Sequence, residues 1–181
     1  MWKYSKSISK LCVYSVSDND IKHNSVFGIH FKRDEKMKFG DTYKLTVNTG
    51  EPCIGFCNES YEPETFVYST SFEKSIEGIC YLHLSQHKRA FADMTLTESV
   101  CELKFHNYYE YKYPYDIYIR ICKESHIPQF RYDDKWHNFG NFVFKEQDYY
   151  PYLYLTCEDE ISNFMIVREK PRKSAGFLNK N

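Results

Sequence analysis

The sequence predicts an all-β chain folded as an antiparallel β-sandwich of the jelly-roll kind, and three observations carry that expectation. From Asp116 to Phe139 apolar and polar residues alternate. Ile117, Ile119 and Ile121 fall opposite Tyr118, Arg120 and Cys122, and Pro128, Phe130 and Tyr132 fall opposite Gln129 and Arg131. A helix would bring apolar residues round every third or fourth position, whereas a strand turns successive side chains to opposite faces. Aromatic residues make up 18% of the chain, with 17 Tyr against 2 Trp, and tyrosine suits a half-buried strand whose hydroxyl reaches water. Short alternating runs separated by polar turns recur at roughly 8–12-residue spacing, the pattern of a sandwich or barrel.

Taken in order, Ile8 to Val16 reads as a first strand, ended by the turn residues Ser17-Asp18-Asn19-Asp20, whose short polar side chains bond back to the backbone. Val26 to Phe31 is the next, with Phe27, Ile29 and Phe31 on one face, followed by a charged connection from Arg33 to Lys38. Phe39-Gly40-Asp41 turns the chain into Tyr43, Leu45 and Val47, a clean alternation closed by the turn Asn48 to Pro52. Ile54 to Cys57 is a short strand whose Gly55 permits a close backbone approach. An acidic loop from Glu59 to Glu64 precedes strands at Phe66–Tyr68 and Ile79–Leu84, and Gln86 to Met94 is expected as a single helical turn or a surface loop. Val100 to His106 is a strand, and a Tyr-rich connection from Tyr108 to Tyr115 leads into the hairpin of Asp116–Phe139, broken at Lys123-Glu124-Ser125. Tyr149 to Leu155 is a late strand entered through Pro151, a residue that belongs at a strand start or edge, and Ile161 to Val167 closes the set. Residues 1–167 therefore form one domain, and the basic stretch 168–181, with no periodic pattern, is expected to be disordered.

Lys and Arg total 24 and Asp and Glu 25, a formal net charge of -1, so no global field draws the chain to nucleic acid or to acidic membranes. Seven cysteines without a tight framework point to reduced thiols and a cytoplasmic location. No segment is apolar enough for a membrane span or a signal peptide. Cys53 and Cys57 could be half of a zinc site, but the second pair such a site needs at defined spacing is missing, so no metal and no cofactor is expected. Asp133-Asp134 and Glu158-Asp159-Glu160 are carboxylate clusters where turns are expected, and a solvated turn is the preferred reading of both. Phosphate-cradling glycine loops and Gly-x-Ser-x-Gly elbows are absent, and no catalytic set emerges, so the chain is not expected to be an enzyme.

The order of features resembles the Neuralized homology repeat. Gly28-Ile29-His30-Phe31 is similar to that family's Gly-Ile-x-Phe strand, and Phe39 to Val47 to its Pro-Gly-Glu-x-Phe-x-Leu-Arg-Ile. Ile54 to Cys57 sits where the family has another strand. Phe130-Arg131-Tyr132-Asp133 resembles Tyr-x-Ile-Asn, and Tyr150 to Leu155 its Pro-Leu-Trp-Ala-Leu strand. The family's paired arginines before the Gly-Ile strand are missing, with Lys22 and His23 nearby instead, Pro128 replaces a β-branched strand residue, and the segment from Tyr61 to Leu96 does not match. Related SPRY domains share the sandwich and would give much the same pattern. The resemblance implies a recognition domain without the RING module that often accompanies the family, which fits an adaptor in ubiquitination.

The expected function is binding of a protein or peptide ligand through loops at one end of the sandwich. Arg131, Tyr132, Lys135, Trp136 and His137 form the leading candidate surface, because Tyr, Trp and Arg dominate binding hot spots. Arg131 and Lys135 would pair with carboxylates, and Trp136 or Tyr132 would act as anchor. Against this stands the plainer possibility that Tyr132 and Trp136 fill the core at a hairpin end. Tyr109 and Tyr111, in the Tyr-rich connection, form a second candidate surface. The alternative from another class is a sandwich that binds carbohydrate or lipid headgroups by stacking on the same aromatics.

Overall fold

The computed structural model describes residues 1–4, 14–23, 28–63, 77–85, 89–92, 96–97, 104–105, 112–156 and 159–167. Every regular element among them is a strand: β1 (Trp2–Tyr4), β2 (Tyr14–Val16), β3 (Ile21–His23), β4 (Ile29–Arg33), β5 (Thr42–Thr49), β6 (Cys53–Asn58), β7 (Ile79–His83), β8 (Arg89–Ala92), β9 (Lys104–Phe105), β10 (Tyr115–Ile121), β11 (Pro128–Arg131), β12 (His137–Asn138), β13 (Tyr149–Leu155) and β14 (Glu160–Val167). They make two seven-stranded antiparallel sheets. The first runs β1-β4-β13-β6-β7-β8-β9 and the second β12-β11-β10-β5-β14-β3-β2. The all-β sandwich expected from the sequence is the observed architecture.

One core fills the space between the sheets. Sheet 1 contributes Ile29, Phe31, Ile54, Phe56, Leu82 and Leu153, and sheet 2 contributes Tyr43, Leu45, Val47, Ile117, Ile119 and Phe130. Aromatic rings tie the layers together: Trp2 meets Phe164 edge-on at 4.8 Å between centroids, and Phe56 lies 5.5 Å from Phe139. Each ring removes a large apolar area from water, and tilted or edge contacts suit the ring quadrupoles.

The two sheets differ on their outer sides. In sheet 2, β5, β10 and β11 alternate buried and half-buried residues, as a strand with one wet face must. In sheet 1, every residue of β6 and β13 is buried, so both faces of their sheet are covered. A second apolar cluster of Cys53, Cys57, Tyr61, Ile79, Tyr81, Tyr150, Tyr152 and Tyr154 accounts for this. Lys32, only 3% exposed, pins the loop after β6 over that face. Its Nζ donates to the Glu59 carbonyl at 3.0 Å and the Tyr61 carbonyl at 2.7 Å, sits 3.7 Å from the Glu62 carboxylate, and lies over the Tyr150 ring. Those acceptors let a cation be buried without an unpaired charge.

The covering layer also holds a hydroxyl with no partner. The Tyr61 Oη is buried and makes no hydrogen bond among the described residues, although its ring meets Tyr152 edge-on at 5.7 Å. An unsatisfied buried hydroxyl costs roughly 1–3 kcal/mol. Tyr61→Phe keeps the ring and removes the orphan oxygen, so it should be neutral or stabilising by up to about 1 kcal/mol. A urea midpoint lowered by the substitution would show that the hydroxyl has a partner after all.

Several expectations are corrected. Gln86 to Met94 is not a helical turn or loop throughout, because Arg89–Ala92 is strand β8, paired with β7. Its small Ala90 and Ala92 are buried, and tertiary pairing overrides the weak strand preference of alanine. Pro151 lies within β13, an interior strand, and not at its start. The ladder to β4 begins only at Tyr152, however, so at Pro151 the strand is paired on the β6 side alone, which is how an interior strand tolerates a residue without an N–H. Pro128 is the first residue of β11. The expected strand at Phe66–Tyr68, the start of the first strand, most of Val100–His106 and the stretch 168–181 lie outside the described residues.

Asp159 is the largest correction. The sequence pattern assigns it to a solvated turn, yet it is 1% exposed. Its carboxylate accepts the Glu51 N–H at 2.8 Å, the Thr156 N–H at 2.6 Å and the Thr156 hydroxyl at 3.0 Å, so it joins the β5–β6 turn to the β13–β14 turn. Gly50, at φ 86°, packs against it so closely that a Cβ there would strike the carboxylate. Burial pushes the Asp159 carboxyl up to about 6, against the pull of those hydrogen bonds.

Candidate binding face

The outer face of sheet 2 is where a partner can reach a strand surface directly, and its most elaborate part lies on β10, β11 and β12. The alternation that sends Ile117, Ile119 and Phe130 into the core sends Tyr118, Arg120, Gln129 and Arg131 outward. Register then sets neighbours: Tyr118 faces Arg131, Arg120 faces Gln129, and Gln129 faces Asn138. Arg120 Nε donates to Gln129 Oε1 at 2.9 Å, and Gln129 Nε2 donates to Asn138 Oδ1 at 2.9 Å. Trp136, just before β12, comes back over this face.

The result is a row of alternating rings and guanidinium groups. The Arg131 guanidinium carbon lies 4.5 Å from the centre of the Tyr118 ring and 4.9 Å from that of Trp136. The Arg120 guanidinium carbon lies 4.0 Å from the Trp136 ring centre. Each such contact contributes about 0.5–1 kcal/mol at an exposed site, so the row is fixed before any ligand arrives. Arg131 Nε is buried within it and has no hydrogen-bond partner among the described residues.

Three of the nearby carboxylates have partners of their own. Asp116 accepts Lys44 Nζ at 2.8 Å and the Thr46 hydroxyl at 2.7 Å. Burial pushes its carboxyl up, but those two hydrogen bonds and the Lys44 charge outweigh it and hold the group below the usual carboxylate range. Asp133 accepts the Lys135 N–H at 2.9 Å and sits 3.3 Å from His137 Nε2. Again burial pushes up and these bonds win, leaving its carboxyl low. Glu124 accepts the Cys122 S–H at 3.3 Å, which lowers its carboxyl first, with the Arg120 charge adding to the effect.

The five residues of the leading candidate surface therefore divide. Arg131 and Trp136 belong to the row. Tyr132 packs against the core, and His137 stacks between Phe130 at 5.4 Å and Tyr132 at 6.3 Å. Lys135 is exposed in the intervening turn. The row's other members, Tyr118 and Arg120, are not singled out by the sequence pattern as binding residues, although the alternation of β10 already places them on the outer face. Tyr109 and Tyr111 lie outside the described residues.

Beyond Arg120 the face runs into an open cleft of about 550 Å³ between the start of β5 and the end of β14, where Lys36, Lys38, Asp41 and Val167 meet Arg120. Among the described residues no group of three or more His, Cys, Asp or Glu stands together as metal ligands would. Burial drives the thiols of Cys53 and Cys57 up, so neither is a ready thiolate nucleophile. No helix of the described chain is long and apolar enough to cross a membrane.

No protein-family profile and no curated protein sequence matches the chain. Solved structures do. The SPRY domain of human HERC1 superposes with a TM-score of 0.58 at 8% identity, over 87% of this chain and 94% of that one. The TRIM65 PSpry domain gives 0.60 at 8% identity, over 87% and 84%. The carbohydrate recognition domain of Emp47p gives 0.54 at 11% identity, over 91% and 86%. Identities this low speak for the fold alone, and the fold is a SPRY-like β-sandwich.

Proposed function

We propose that this chain is a non-catalytic protein-recognition module, of Neuralized-like and SPRY-like kind, that binds a peptide or protein partner. The observation that carries this reading is the row Tyr118–Arg131–Trp136–Arg120, built on the outer face of sheet 2 where the core has no use for it. It offers rigid aromatic area and planar hydrogen-bond donors together, the combination that concentrates binding energy. The turn bearing Lys135 and the cleft beyond Arg120 extend the face toward the loops at the ends of the strands. In the cell we place the module in the cytoplasm, as the substrate-capturing part of a ubiquitination system, in keeping with its resemblance to Neuralized repeats.

A sugar-binding role is supported by the likeness to a carbohydrate recognition domain, but stacking a sugar needs an open ring face. Guanidinium groups pack against Trp136 at 4.0 and 4.9 Å, and the charged planar donors they place beside it favour the protein reading. The test is affinity capture from cell lysate with wild type and the Trp136→Ala/Arg131→Ala double variant, with circular dichroism confirming that both fold. Truncating hot-spot residues costs about 2 kcal/mol or more each, roughly 30-fold in affinity, so a defined protein set should disappear with the double variant. An unchanged set would remove the row from the binding site.

A further inference from the structure

We infer that Gln129 is the positioning residue of the binding face: it holds Arg120 against Trp136, so that a partner meets the terminal nitrogens of that guanidinium in one set orientation. This rests on the recognition reading above and deepens it. The first support is register. Arg120, Gln129 and Asn138 stand directly opposite one another on β10, β11 and β12, and alternation turns Arg120 and Gln129 to the outer face. Side chains so placed are neighbours across both strand pairs. The second support is hydrogen-bond polarity, which arginine dictates. A guanidinium only donates, so the group that receives Arg120 Nε at 2.9 Å must be the Gln129 amide oxygen. That leaves the Gln129 amide nitrogen to face Asn138, whose oxygen accepts it at 2.9 Å. The Gln129 amide is thus held at both ends and has one orientation.

The third support is what this tie leaves over. With Nε spent on Gln129, the Arg120 guanidinium carbon rests 4.0 Å from the Trp136 ring centre, and its terminal nitrogens have no protein hydrogen bond among the described residues. Those nitrogens are donors only, so the partner group that fits them is an oxygen acceptor, from main chain or side chain. A free arginine would lose rotamer freedom on binding, and Gln129 removes that cost in advance. Excess charge has no part in this role. Glu124, whose carboxyl the Cys122 S–H bond lowers first, is lowered further by the Arg120 charge, so an acid already stands near the guanidinium.

The experiment is acrylamide quenching of tryptophan fluorescence in the full chain, where Trp2 is 4% exposed and Trp136 half-buried, so the quencher reads mainly Trp136. Arg120→Ala should raise the quenching constant by uncovering the ring. Gln129→Met, which keeps the volume and removes the acceptor, should raise it about as far. Arg120→Ala/Gln129→Met should rise no further than Arg120→Ala, because a residue that acts through another adds nothing once the other is gone. Gln129→Glu, which still accepts from Nε while Asn138 turns its amide round to donate, should keep the wild-type value. Circular dichroism confirms that each variant folds. In the lysate capture, Gln129→Met should retain about threefold to tenfold less of the protein set that Trp136→Ala/Arg131→Ala loses, the cost of ordering one long side chain on binding. A wild-type quenching constant in Gln129→Met, a further rise in the double variant, or equal rises in Gln129→Glu and Gln129→Met overturn the inference. If Trp136→Ala/Arg131→Ala loses its proteins and Gln129→Met retains them all, the positioning role falls and the recognition module stands. If neither variant loses any, both fall.

Discussion

Gly55→Ala should destabilise the protein by about 3 kcal/mol or more, a large part of the roughly 5–15 kcal/mol that holds a domain together. Gly55 sits in β6 between Tyr152 of β13 and Tyr81 of β7, in the middle of the sheet that is covered on both faces. A Cβ at this position would collide with the Cys80 carbonyl oxygen, and would lie 2.6 Å from the Tyr81 Cα. These are backbone atoms, so no rotamer change makes room; β6 and β7 would have to part. Urea unfolding measures the loss, with Glu146→Ala, at an exposed position before β13, as a control expected to stay within about 0.5 kcal/mol. A midpoint for Gly55→Ala equal to that of wild type would mean that the two strands do not approach as described.

The second large effect concerns acid, and it is masked in the wild type. His30 is 8% exposed, its Nδ1 lies 2.6 Å from the Tyr152 hydroxyl, and desolvation lowers its pKa from 6.5 to about 3. Between those values the unfolded chain binds a proton that the folded chain refuses, so stability falls as pH falls through that window, by about 1.4 kcal/mol per pH unit. Asp159 works the other way. Burial raises its folded pKa from 3.8 to about 6, so in that window the folded chain binds the extra proton and stability rises as pH falls. Where the windows overlap, the two slopes oppose each other. His30→Gln, which keeps a hydrogen-bonding group but cannot take the charge, should therefore leave a protein that gains stability from about pH 6 to about pH 4, on the order of 2 kcal/mol. Asp159→Asn, whatever its cost in lost hydrogen bonds at neutral pH, should lose stability over the same range by a similar amount. Urea unfolding of both variants across that range checks this, and parallel profiles would refute the assignment.

What could be read from the sequence follows from which faces are wet. In β5 and β10 one side chain in two meets water, so Tyr43, Leu45 and Val47, like Ile117, Ile119 and Ile121, announce their strands by alternation. In β4 of sheet 1 the same alternation is present but misreports burial, because His30 and Lys32 are buried as well as Ile29 and Phe31. Lys32 belongs inside only because carbonyls of Glu59 and Tyr61, distant in sequence, receive its ammonium, and no local pattern reports that. The same limit applies to the binding face. Arg131 and Trp136 draw notice as neighbours in sequence, whereas Tyr118 and Arg120 join them only through strand register. Tyr132 falls out of the group because alternation puts it on the inward face with Phe130, and His137 because it pairs with Phe130 across β11 and β12. The sandwich expected from the succession of strands is the observed fold, and the solved structures it resembles include SPRY domains, with no Neuralized repeat named among them.

The unequal covering of the two sheets divides labour within one small domain. Strands β4, β6, β7 and β13 of sheet 1, buried almost throughout, leave few positions that can change without disturbing a packed neighbour. On β5, β10 and β11 of sheet 2, every second residue answers to solvent and to its neighbours on the outer face, so the outer row can drift in charge, shape and partner while the scaffold beneath stays as it is. A lineage can thus acquire a new ligand by editing one surface, without having to rediscover a fold.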